Sequence, residues 1–173
     1  MPEGGVPSPS QGRWRPYLKG GVWVPGVVLV WSLFSLVGDI AGLARVLRPE
    51  VWRRLTHPDG PMFHPMWGWV LVSEFAASVV LVIACGAVLA LYLARHADFP
   101  WAMAVLLGVN AVWSGVDWLG AGAVAGSLPP EMARVMLDSA RFSLLVGILL
   151  AGMIPWLLKS RPIRDLFSGP VPG

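Results

Sequence analysis

Four long apolar stretches constrain this chain more than any other feature it has. They cover about residues 22–44, 67–94, 101–126 and 134–158. A hydrocarbon core of about 30 Å takes roughly 20 mostly apolar residues per helical crossing, and each stretch meets that length. Inside a bilayer no water satisfies the backbone N–H and C=O groups, so each stretch must be a helix. A mean hydropathy of +0.64, with only 13% charged residues, separates the chain from ordinary soluble domains. The expected fold is an all-α membrane protein, an antiparallel four-transmembrane-helix bundle occupying residues 21–160.

The stretches outside that domain read as tails. Residues 1–20 are rich in Gly, Pro and Ser and hold no short apolar core followed by a small-residue cleavage site. They are expected to be disordered, with the first span as its own insertion signal. Residues 161–173 are expected to form a second tail. An even number of spans puts both on one side, with Arg13, Arg15, Lys19, Arg95, Lys159, Arg161 and Arg164. The other side holds Arg45, Arg48, Arg53, Arg54 and Arg134. The positive-inside rule then favours cytoplasmic termini. Basic residues gathered at span ends also explain the net charge of +3 without any nucleic-acid partner; the expected surroundings are lipid.

Trp23, Trp67, Trp69, Trp101 and Trp156 fall near span ends, where an amphipathic ring suits the headgroup layer. Between the first two spans, Val46, Leu47, Val51, Trp52 and Leu55 alternate with arginines. That pattern predicts a short interfacial helix, interrupted at Pro49, Pro58 and Pro61.

Each span carries one polar stripe. Ser32, Ser35 and Asp39 follow i, i+3, i+7 spacing; Glu74 and Ser78 are one turn apart; Asn110, Ser114 and Asp117 follow i, i+4, i+7; Asp138 and Arg141 are i, i+3 neighbours. The chain reverses at each loop, so Asp39, Glu74, Asp117, Asp138 and Arg141 all fall in one half of the bilayer. An unpaired charge at mid-membrane costs about 2.5–3.5 kcal/mol on insertion scales. The stripes are therefore expected to face one another, with Arg141 meeting Asp117, Glu74 as a second acceptor and Asp138 as the local one. Four acids against one arginine leave an excess of negative charge that a proton or a cation would balance. The expected buried network is Asp39, Glu74, Asn110, Asp117, Asp138 and Arg141.

The run Ile154-Pro155-Trp156-Leu157-Leu158-Lys159-Ser160-Arg161-Pro162-Ile163-Arg164-Asp165-Leu166-Phe167 resembles the closing signature of a bacterial membrane family, domain of unknown function 2569 (DUF2569). Ser160, Arg161, Ile163, Arg164 and Phe167 fit its Ser-basic run and final aromatic; Pro162 and Leu166 depart from it. Gly20-Gly21-Val22-Trp23, Glu74, Phe99-Pro100, Asp117 and Arg141 are similar to other parts of that family. The resemblance implies a four-helix protein of a bacterial cytoplasmic (inner) membrane, and it implies no substrate.

Other motifs carry less. His57, Met62, His64 and Met66 offer nitrogen and thioether donors of a kind that suits copper. Three prolines stiffen that loop and no known ligand spacing is completed, so no metal is expected there. Cys85 is the single cysteine, which rules out an intramolecular disulfide or a CxxC motif. No span contains a histidine, and no phosphate loop, GxSxG or HExxH occurs. Neither an enzyme nor a cofactor is expected. Two functions remain. One is a non-enzymatic accessory or interaction protein, with a second copy or a membrane protein as partner and the acid/arginine network holding its bundle together. The other is a small transporter-like or proton- or cation-binding protein that uses the same residues.

Overall fold

A computed structural model describes residues 20–167. The chain enters through Gly20 and Gly21, whose φ angles of 63° and 75° lie where a side chain would be strained. α1 then runs Trp23–Val46 and is followed by a short helix α2, Pro49–Thr56. The two following long helices are α3, Trp67–Leu93, and α4, Phe99–Val124, which ends in one 3₁₀ turn, Ala125–Ser127. α5, Pro130–Ala151, is followed by α6, Ile154–Lys159, and α7, Arg161–Phe167. Among the described residues there is no strand. Four helical segments are long and apolar enough to cross a membrane, the last running from Pro130 to Lys159. The protein is an all-α, multi-pass membrane bundle with a short amphipathic helix between its first two spans. The expected tail at residues 1–20 lies outside the described residues, apart from Gly20.

Helix starts fall at prolines. Pro49, Pro100, Pro130 and Pro155 each occupy the first or second helical position, where a missing N–H costs nothing and a fixed φ helps. This moves two starts from the hydropathy limits. α4 begins two residues before Trp101, and α5 begins four residues before Arg134. Pro155 also breaks the fourth span, expected to be continuous over 134–158. It has no N–H to give the carbonyl of Ala151, and its ring crowds that carbonyl. α5 therefore ends at Ala151, and Met153 N–H turns back to the Leu150 carbonyl at 3.0 Å.

α3 closes differently. Arg95, at φ 54°, sits in the left-handed conformation past the helix end. Its N–H reaches the Tyr92 carbonyl at 3.2 Å, and the His96 N–H reaches Leu91 at 2.9 Å. Those two bonds are the Schellman pattern, normally built on glycine.

The region expected to be a tail after Ser160 is instead a packed helix up to Phe167. Ile163 and Phe167 on α7 are buried, together with Leu157 of α6. The Phe167 ring stacks on Phe99 at 4.5 Å, and Phe99 meets Tyr92 at 5.1 Å. Tyr92 donates its hydroxyl hydrogen bond to the Val22 carbonyl at 3.1 Å. The apolar spacing Ile163-x-x-x-Phe167 puts both side chains on one helical face. Residues 168–173 are outside the described part.

α1 packs on α3, α3 on α4, and α4 on α5, while α6 and α7 also lie against α4. α1 and α5 do not pack closely against each other. One large core cluster fills the end near the termini and the middle of the bundle, from Val22 and Phe167 to Leu81 and Leu106. A smaller one, Leu43, Leu55, Trp67, Leu71 and Val124, lies under α2 at the other end.

Candidate functional site

The end of the bundle opposite the termini holds a cavity of about 990 Å³. Gly42, Leu43 and Val46 of α1 line it, with Val51 and Leu55 of α2 above. Trp67, Leu71 and Glu74 of α3 and Asp117 and Ala121 of α4 form the back. α5 supplies Glu131, Met132, Val135, Met136, Ser139 and Ala140. The walls are mostly apolar, three of the lining residues are methionines, and the charged ones are Glu74, Asp117 and Glu131 alone, with no Lys, Arg or His. Thioether side chains flex and fit varied shapes. The volume is that of a small-molecule site.

Regular helical rise explains why the carboxylates share one depth. Asp39 is seven residues from the end of α1, Glu74 seven from the start of α3, and Asp117 seven from the end of α4. At 1.5 Å per residue, each lies about 10 Å in from the same end of the bundle. Glu74 and Asp117 are half-buried on adjoining helices. Asp39 is exposed on α1. Among the described residues, no ion pair or side-chain hydrogen bond engages any of the three. Glu74 and Asp117 also front a second cavity of about 290 Å³ on the other face of the α3–α4 seam, beside Trp69, Ser73 and Trp113.

Arg141 does not join them. It and Asp138 are 63% and 62% exposed, and Arg141 Nη1 pairs with Asp138 Oδ1 at 3.6 Å. The expected contact of the guanidinium with Asp117 and Glu74 is therefore corrected to a local pair on the outer face of α5. The cause is the rotation of that helix. Ala140 and Gly147 are its buried residues, and a Cβ on Gly147 would come within 3.0 Å of Ser114 Oγ and 3.3 Å of the Ala111 Cα. Small residues let α5 sit close on α4. At roughly 100° per residue, that contact turns Asp138 nearly opposite and Arg141 more than a quarter turn away.

Asn110 is also separate from the acids. It stands two turns farther in than Asp117 and lines a cavity of about 20 Å³ with Ser32 and Cys85. Ser114, between the two on the sequence stripe, donates to the Asn110 carbonyl at 2.9 Å. The Cys85 thiol donates to the Leu29 carbonyl at 3.4 Å.

The loop donors are dispersed. His57 Nδ1 accepts from the Asp59 N–H at 3.4 Å, and His64 Nδ1 from the Met66 N–H at 3.3 Å. Met62 turns into the large cavity and Met66 toward the smaller one. Among the described residues, no three His, Cys, Asp or Glu side chains are placed to hold a metal ion. Trp67, read from sequence as an interface anchor, is buried. Its Nε1–H donates to the Met62 carbonyl at 3.2 Å and to Ser127 Oγ at 3.0 Å, tying the first loop to the α4–α5 turn.

Sequence reading missed Gly42, Met132, Met136 and Ser139 as cavity residues. A signal existed for α5: Glu131, Val135 and Ser139 follow i, i+4, i+8 spacing, with Met132 and Met136 beside them at i+1 and i+5 on the same face. No protein-family model matches the chain, and no curated protein or solved structure proves similar to it.

Proposed function

We propose that this protein is a non-enzymatic membrane protein that binds an organic cation with apolar bulk in the cavity between α1 and α5, as a small transporter or receptor of such compounds would. One observation carries the reading: the cavity contains three carboxylates and no basic side chain. In surroundings of low dielectric, facing carboxylates repel and are stabilised by a cation. The absence of a three-donor cluster among the described residues favours a diffuse organic cation over a coordinated metal. Apolar and methionine walls suit its hydrocarbon part. Glu74 and Asp117 are also among the residues on which the resemblance to DUF2569 rests, so membership of that family is proposed with them. A bacterial cytoplasmic membrane and cytoplasmic termini belong to the same proposal.

Calorimetric titration of the protein in lipid nanodiscs with tetraphenylphosphonium tests this. Glu74→Gln and Asp117→Asn should each weaken binding about tenfold, or about 1.4 kcal/mol, and leave folding intact. Unchanged affinity in both variants removes the reading.

A second reading, an interaction protein, has its own support in α5. Val135, Asp138, Phe142, Leu145 and Leu149 alternate three and four residues apart, and all are exposed. That is the spacing of a helix–helix seam. Asp138 and Arg141 are self-complementary across a two-fold axis, which favours a second copy. A cysteine at Leu145, in a Cys85→Ser background, should cross-link copies in the membrane, and Asp138→Asn should reduce the yield. No cross-linked dimer from Leu145→Cys would count against that interface.

A further inference from the structure

The cavity is walled by packed helices on three sides. α1–α3, α3–α4 and α4–α5 pack closely, whereas α1 and α5 border the cavity and make at most slight contact with each other. The two sides of that gap are apolar: Leu43 and Val46 on α1, Met132, Val135 and Met136 on α5. Val135 is 70% exposed. The carboxylates of Glu74 and Asp117 stand at the back, on the helices farthest from the gap. Asp39, Gly42, Leu43 and Val46 follow i, i+3, i+4, i+7 spacing, so Asp39 lies on the same face of α1, one turn deeper beside the opening. The arrangement has a direction, from negative charge at the back to an apolar mouth at the level of the bilayer.

We propose that the ligand is a single-chain amphiphile with a quaternary or protonated amine head, admitted sideways from the bilayer through the α1–α5 gap. The head sits against Glu74 and Asp117, and the alkyl chain lies between Leu43 and Val46 on one side and Met132 and Val135 on the other, its end among lipid chains. This deepens the cation-binding reading and rests on it. The second cavity fronts the same carboxylates from the far face. α3 and α4 pack together there, and the volume of about 290 Å³ is too small for head and chain together.

Gly42 makes the route testable. A Cβ there would meet no atom within 4 Å, so a side chain at this position starts into open space. The protein in nanodiscs is photolabelled with dodecyltrimethylammonium bearing a diazirine at the chain end, and the labelled residues are located by mass spectrometry. Labels should fall on residues 42–46 and 132–136. Gly42→Phe should weaken dodecyltrimethylammonium binding about tenfold by obstructing the chain. Labels on Trp69 or Trp113, or unchanged dodecyltrimethylammonium affinity in Gly42→Phe, would overturn the sideways route while the cation site stands. If neither dodecyltrimethylammonium nor tetraphenylphosphonium binds the parent protein, the cation-binding reading itself fails, and the route with it.

Discussion

A Cβ placed on Gly20 would come within 2.7 Å of the Pro162 ring, and one on Gly26 within 2.9 Å of the Tyr92 ring; at the other end, one on Gly42 would meet nothing within 4 Å. The end near the termini is filled by aromatic stacking and by a C-terminal helix folded back against α4. The opposite end keeps about 990 Å³ open beside two half-buried acids. Close packing is what holds helices together where lipid is as apolar as the side chains. A bundle that interlocks its rings at one end can leave the other hollow.

Three substitutions sharpen that contrast. Phe167→Ala, at the closed end, should cost about 3–5 kcal/mol, because the ring is enclosed and its loss leaves a cavity. Thermal unfolding in nanodiscs would register it as the largest drop of the three. Trp67→Phe, at the open end, should cost about 1 kcal/mol for the bonds to Met62 and Ser127. Ser127 remains satisfied by donating to the Val124 carbonyl at 2.8 Å, which limits the damage. In the same assay, a loss as large as that of Phe167→Ala would erase the distinction between the ends. Arg95→Gly should change stability by less than about 1 kcal/mol, since relief of the left-handed conformation is set against the added freedom of the unfolded chain and the loss of the arginine's own interaction. A lower midpoint for that variant would mean that the arginine side chain contributes more than its backbone costs.

Hydropathy made the four spans legible, and alternating arginines announced α2. Residue counting from the loops made the shared depth of Asp39, Glu74 and Asp117 legible too, because rise per residue hardly varies in a helix. Azimuth is another matter. The direction in which Arg141 points depends on how Ala140 and Gly147 seat α5 against Ser114 and Ala111. A polar stripe does not reveal that rotation. An assumed pairing of charges displaced the better clue, two small residues seven apart. α7 was missed for a related reason. Its basic residues suggested a solvated tail, while Ile163 and Phe167 became informative only beside Tyr92 and Phe99, distant in sequence.

The interruption at Gly152 and Met153 separates two duties within the last span. Beyond it, α6 and α7 are fastened to α4 and complete the aromatic cluster; before it, α5 forms one side of the lateral gap. At the junction the Gly152 N–H still reaches the Ile148 carbonyl and the Met153 N–H the Leu150 carbonyl, both at 3.0 Å, while Pro155 has no N–H to add. The two halves of the span can therefore vary separately: residues before Gly152 shape the cavity wall, and those after it shape the packing around Phe167.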